Sequence, residues 1–197
     1  MIASVTQPLD KTALRVSLRA LRRRLADEVP DVAERAARRL PLSRFSRFSV
    51  VAAYCAQGSE VDPGPVLRAI LDFNDGRASA ALPVAADRDA ALTFRRWAPA
   101  DPLVPDAFGI PSPVASAPEV LPNLVITPLL GFDRRGGRLG QGGGHYDRTL
   151  LNLRKVRPVF VLGLAFAGQE VEEIPMDRHD QRLDAVLTEA EFIDVGR

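Results

Sequence analysis

Seven of the chain's fourteen glycines fall between Gly131 and Gly144, inside the stretch PLLGFDRRGGRLGQGGGHYD from Pro128 to Asp147. An apolar run, Leu124 to Leu130, precedes them, and His145 to Val156 reads as a helix after them. A buried strand, a glycine loop carrying arginines and a helix start form the arrangement by which α/β proteins hold phosphate. N–H groups at a helix N-terminus favour an anion, and glycines let the backbone approach without a Cβ in the way. The expectation is a phosphate-bearing ligand in an α/β enzyme.

The rest of the chain divides into strands and helices. Residues 10–26 predict an amphipathic helix with Asp10 as N-cap and Leu14, Leu18, Leu21 and Leu25 on one face. A short helix over Asp31–Leu40, a strand over Ser49–Ala56 and a helix beginning at Pro65 follow. Strands are predicted at 78–86, 91–97, 124–130 and 159–167, with two short ones at 185–188 and 191–195. Seven prolines between Pro99 and Pro122 make that segment an extended connection. Alternation of this kind predicts a single α/β domain over residues 1–197, three-layer α/β/α with a mainly parallel central sheet. The loops at 57–64 and 131–144 both leave strand carboxyl ends, where ligands gather in such sheets.

Composition narrows the function classes. With 46% hydrophobic and 26% charged residues the chain is an ordinary globular sequence, and a net charge of +1 predicts no nucleic-acid or membrane partner. One cysteine (Cys55) and two histidines (His145, His179) exclude an internal disulfide and leave too few ligands for a Cys/His zinc site. No apolar run approaches the roughly 20 residues that span a bilayer. The opening MIASVTQPLDK lacks the basic region of a secretory signal. A cytoplasmic protein is expected, working as a monomer.

The glycine loop lacks the Walker pattern and the third glycine of a dinucleotide fingerprint, so neither a P-loop nor an NAD site is supported. Arg138 can meet phosphate oxygens in a fork. Asp147 suits either a magnesium ion held through carboxylate and water or a first-turn acid that favours the helix dipole. Lys11 and Arg15 share a helical face that Arg19 and Arg22 continue. For Arg19, Arg22, Arg23 and Arg24 the reading is a solvated basic stripe. Glu60 and Asp62 are either binding carboxylates or solvated loop acids, and Cys55 reads as a small apolar residue.

The segment FDRRGGRLGQGGGHYDR (Phe132 to Arg148) closely resembles the signature of the 5-formyltetrahydrofolate cyclo-ligase family. Other stretches fall in the family's order: Lys11-x-x-x-Arg15, Glu60-Val61-Asp62 after a strand, Gly109-Ile110-Pro111-x-Pro113, and the tail Gln169, Ile174-Pro175, His179-Asp180, Leu183-Asp184. The resemblance implies conversion of 5-formyltetrahydrofolate to 5,10-methenyltetrahydrofolate, with ATP as co-substrate, Mg2+ as cofactor, and ADP and phosphate as products. Phosphorylation of the formyl oxygen would make it a leaving group, and N10 would then close the ring. Such chemistry needs cationic clamps more than a nucleophile.

By the same resemblance Lys11, Thr12, Ala13, Leu14 and Arg15 are implied to hold the ATP phosphates. Arg138, Leu139, Gly140, Gln141, Gly142, Gly143, Gly144, His145 and Tyr146 are implied to wrap the nucleotide, with Arg138, Gly142, Gly144 and Tyr146 in the catalytic role. Gln141, Gly142, Gly143, Gly144 and His145 are also implied to border the formyl group, while Cys55, Glu60 and Phe108 face the folate. Asp147 and Asp180 are the implied magnesium ligands. Gly143 stands where some relatives have lysine, and His145 where an aromatic is more usual. Two other classes remain open: a family-like binding protein without turnover, and a relative of sugar-phosphate isomerases or CoA-transferases, which would not need ATP.

Overall fold

The computed structural model describes residues 10–196, so the reading of residues 1–9 as lacking a secretory signal lies outside the described residues. Helices α1 (Lys11–Glu28) and α2 (Val32–Arg39) lead through a 3-10 turn at Leu42–Phe45 to β1 (Val50–Ala52). Then come α3 (Gly64–Asn74), β2 (Ser79–Val84), β3 (Thr93–Trp97) and a hairpin of β4 (Leu103–Pro105) with β5 (Pro111–Pro113). Next are β6 (Leu124–Thr127), a second hairpin of β7 (Gly131–Phe132) with β8 (Arg138–Leu139), and α4 (His145–Val156). The chain closes with β9 (Phe160–Leu164), a 3-10 turn at Ala167–Gln169, β10 (Ala185–Leu187) and β11 (Phe192–Asp194).

Seven strands form the main sheet in the order β11-β10-β9-β6-β1-β2-β3. The five inner strands run parallel, and β3 and β11 pair antiparallel at the edges. Parallel strands need both faces covered, and β1, β6, β9 and β10 are buried at nearly every position, with successive residues facing opposite layers. Val51, Leu124, Ile126, Leu162 and Leu187 pack with α2 and α3, while Ala52, Val125, Val161 and Val186 pack with Leu150 and Leu153 of α4. The expected three layers are present. Among the described residues no helix is long and apolar enough to cross a membrane.

Strand order reverses at β1. The chain steps from β1 to β2 on one side and returns to β6 on the other, which opens a crevice between the carboxyl ends of β1 and β6. The loop after β1 carries Glu60, and the segment after β6 carries the glycines. That segment is not the simple loop expected from its sequence, because it first folds into the β7–β8 hairpin. Asp133, 2% exposed, ties the hairpin's turn: its carboxylate accepts from the N–H groups of Arg135, Gly137 and Ile174.

A third apolar cluster fixes α1 against this hairpin. Leu18 meets Leu130, Leu139 and Ile174, with Leu14 and Leu21 packed alongside. The approach is close enough that a Cβ on Gly131 would lie 2.6 Å from Leu18 Cδ1. Pro99–Pro122 is extended, as its prolines predict, but also holds the β4–β5 hairpin. The 49–56 strand is shorter than predicted, since regular pairing ends at Ala52 and Tyr54 turns its hydroxyl to Val61 O.

The hairpin's turn depends on Gly136, whose φ is 81° and whose Cβ, if present, would meet Leu183 O at 2.7 Å. Gly136→Ala should therefore lower the unfolding free energy by ~2 kcal/mol or more, combining left-handed strain with overpacking. Urea denaturation checks this, and an unchanged midpoint would contradict the described turn.

Candidate active site

The crevice is walled by α1 on one side and by the glycine loop and the start of α4 on the other. Helix α1 begins cleanly because Asp10 accepts from the N–H groups of Thr12 and Ala13. Those two amides are thereby occupied, and their side chains face solvent. Leu14 turns inward to the apolar cluster. The basic side chains on the same inward edge reach the loop: Arg15 Nε donates to Gly140 O at 3.1 Å, and Arg19 donates to Oε1 and O of Gln141.

The solvated-stripe reading holds for Arg23 and Arg24, which are exposed, but Arg19 and Arg22 depart from it. Arg22 is 6% exposed and forms an ion pair with Glu60 at 3.4 Å. Position 22 is four residues after Leu18 and three before Leu25, so it shares their inward face. That spacing was the available signal. Asp62, the other loop acid, caps Gly64 N at the start of α3 instead of facing the crevice.

The glycine loop enters α4 from a left-handed Gly144 (φ 68°). The N–H groups of Gly142, Gly143, Gly144 and His145 have no hydrogen-bond acceptor among the described residues. They form a row of donors at a helix start, where an anion is favoured. Arg148 pins this loop, donating to Gly143 O at 2.8 Å and to the carbonyls of Arg88 and Ala90. His145 adds a contact between Nε2 and Asp87 O, and its ring meets Phe108 edge-on at 5.5 Å. Leu139 instead points into the core at 2% exposure and serves as a floor.

Arg138 is buried with its Nη2 on Asp147 Oδ1 at 2.7 Å and its guanidinium 5.6 Å from the Tyr146 ring centroid. Its Nε has no partner among the described residues, although it is fully enclosed. Such a donor is costly unless something accepts from it. Burial, and then the Glu60 charge, push the Tyr146 phenol well above its ordinary value, so it stays a hydroxyl donor. Burial likewise raises the Cys55 thiol, helped by Asp106 and Asp62, which disfavours the thiolate.

At the mouth, Lys11 Nζ reaches Asp180 at 2.5 Å and Asp177 at 2.9 Å. Desolvation works to lower the Lys11 pKa, but its hydrogen bonds to Asp180 and Asp177 outweigh that and raise the ammonium above its ordinary value. Gln181 N donates to Asp147 Oδ1, which fixes the residue after Asp180 against Asp147. The two carboxylates each keep one oxygen without a hydrogen bond among the described residues. Among the described residues no group of three or more His, Cys, Asp or Glu side chains could hold a metal. Two half-free carboxylates beside an anion site nevertheless suit magnesium, which takes one or two carboxylates and fills its shell with water and phosphate.

The 5-formyltetrahydrofolate cyclo-ligase family model matches residues 8–189. The chain belongs to that family. The 5-formyltetrahydrofolate cyclo-ligase of Haemophilus influenzae is 40% identical over 100 residues, which are 49% of this chain and 53% of that protein. The chain thus spans about half the length of that relative. The Mycolicibacterium smegmatis cyclo-ligase is 30% identical over 191 residues, covering 92% of this chain and 94% of the relative. The NMR structure of Aquifex aeolicus 5,10-methenyltetrahydrofolate synthetase superposes with a TM-score of 0.76 at 29% identity, covering 95% of this chain and 94% of that one.

The clasp at Lys11 has a pH signature. A hydrogen bond from Lys11, then one from the His179 N–H, hold the Asp177 carboxyl below its ordinary value. Its stabilising contribution is therefore complete above about pH 4 and is lost as pH falls through the lower folded value. Asp177→Asn should narrow the gap between urea midpoints at pH 7 and pH 3. Equal gaps in variant and wild type would contradict the clasp.

Proposed function

We propose that the protein converts 5-formyltetrahydrofolate to 5,10-methenyltetrahydrofolate at the expense of ATP. The observation that carries this reading is the row of unpaired N–H groups from Gly142 to His145, flanked by Arg15, Arg138 and Lys11 and facing Glu60 across the crevice. The glycine loop offers donors for phosphate oxygens, with the exposed Phe108 ring against His145 at its edge, and Glu60 offers a carboxylate for a flat aminopyrimidine.

The cations of the site are paired with carboxylates: Lys11 with Asp177 and Asp180, and Arg138 with Asp147. Phosphate oxygens replace those carboxylates, and the enclosed Arg138 Nε gains the acceptor it lacks. Asp147 and Asp180 would hold magnesium, which would supply neutralisation of phosphate charge there. Tyr146 supplies a hydroxyl donor near the reacting oxygen. The backbone N–H groups of Gly142 and Gly144 stabilise charge on the transferring phosphoryl group. N10 of the folate attacks the activated formyl carbon, and phosphate leaves with the former formyl oxygen.

The working unit is a monomer, a reading supported by the sheet's edges. The outer edge of β3 is covered by the 118–120 segment, and β11 has only three residues. A cytoplasmic setting accords with a single free cysteine.

Incubation with 5-formyltetrahydrofolate, ATP and magnesium should give methenyltetrahydrofolate, followed optically; a folded protein without turnover would reject this reading. Arg138→Ala should lower kcat/KM for ATP by about a hundredfold with stable folding, since it removes a preorganised cation. Wild-type ATP kinetics in that variant would make Arg138 structural. Glu60→Gln should chiefly raise the folate KM, and an unchanged value would remove Glu60 from the folate site.

A further inference from the structure

Three consecutive arginines, Arg22, Arg23 and Arg24, end the basic run of α1, yet only Arg22 is buried. Its guanidinium makes three contacts that converge on the crevice. Nε donates to Ser59 Oγ at 3.1 Å, and Nη1 to Glu60 Oε1 at 3.4 Å and Leu129 O at 3.3 Å. Ser59 and Glu60 follow β1, and Leu129 follows β6, so one side chain of α1 joins the loops from both strands that bound the crevice. Glu60 Oε2 accepts from Gln57 N at 3.0 Å, and the side chains of Arg22 and Glu60 are 7% and 9% exposed.

A buried ion pair is a poor source of stability, because desolvation of both charges offsets their attraction. What the pair does supply is direction. A carboxylate has about four acceptor positions. Two of Glu60's are taken, one by Arg22 and one by Gln57, which leaves acceptor capacity on both oxygens. A planar fork meets the hydroxyl, the carboxylate and the carbonyl from fixed directions, whereas a lysine ammonium is a compact point charge that does not hold that spacing.

We infer that Arg22 is the positioning residue of the folate site: it aims Glu60 at the aminopyrimidine edge of the substrate without touching the substrate itself. This rests on the reading of Glu60 as the folate contact. It also ties folate recognition to the helix that carries Lys11 and Arg15.

The test compares wild type with Arg22→Lys, Arg22→Met, Glu60→Gln and the double variant Arg22→Met with Glu60→Gln. Folate Kd comes from calorimetry without ATP, and folate and ATP KM values come from turnover. Arg22→Lys and Arg22→Met should each raise folate Kd and KM by about tenfold to a hundredfold, the range for losing hydrogen bonds to a charged group. The ATP KM should keep its wild-type value, and Arg22→Met should cost nothing further in the Glu60→Gln background. Arg22→Lys and the double variant, which strand no bare carboxylate, keep the test open if Arg22→Met fails to fold. Wild-type folate affinity in Arg22→Lys overturns the proposal, as does an equal loss from Arg22→Met with and without Glu60, or a parallel loss for ATP and folate. A wild-type protein that binds no 5-formyltetrahydrofolate would instead overturn the functional reading beneath it.

Discussion

The crevice depends on the docking of α1 against the β7–β8 hairpin. Leu18, Leu130, Leu139 and Ile174 are each at most 3% exposed there. A fully buried leucine contributes roughly 1.5–3 kcal/mol, whereas a partly exposed ion pair contributes about 0–1 kcal/mol. The leucines therefore hold the helix in place, and the lysine and arginines along its edge are carried to the crevice by that contact. This division matters for function. Cations not needed to anchor the helix are free to change partners when a ligand arrives.

Those cations are not idle. Lys11 sits on Asp177 and Asp180, and Arg138 on Asp147. The pairs keep a strongly basic crevice from carrying uncompensated charge, and they hold the carboxylates beside the cations. The backbone works differently. Of the N–H row, those of Gly144 and His145 cannot be satisfied within the helix, a consequence of helix geometry, while those of Gly142 and Gly143 belong to the loop that leads into it. Arg148, Thr149 and His145 brace that start against the 87–92 turn, through backbone groups of Asp87, Arg88, Ala90 and Leu92.

Much of the fold was legible. Helix α4 runs over the predicted His145–Val156, and α1 starts beside its predicted cap, because both follow strong periodicity and local capping chemistry. Strand ends were read too long, since Tyr54 to Ala56 are apolar but lie beyond the last β1–β2 bond, Ala53 N to Ala81 O. The β7–β8 hairpin was hidden because two-residue strands leave no periodic trace; it is held by Asp133, an acid whose partners are 2 to 41 residues away.

The amino-acid sequence by itself determined the alternation of strands and helices, the placement of glycines and arginines between a buried strand and a helix, and the family. Those properties are local: they follow from spacing, capping and the residue types a tight backbone admits. Tertiary structure decided which charges meet. Arg22, Arg23 and Arg24 are identical in type and adjacent in the chain, yet one is buried on Glu60 and the others face solvent. The turn of a helix separates them by about 100° per residue, and only the packing of that helix says which direction points inward.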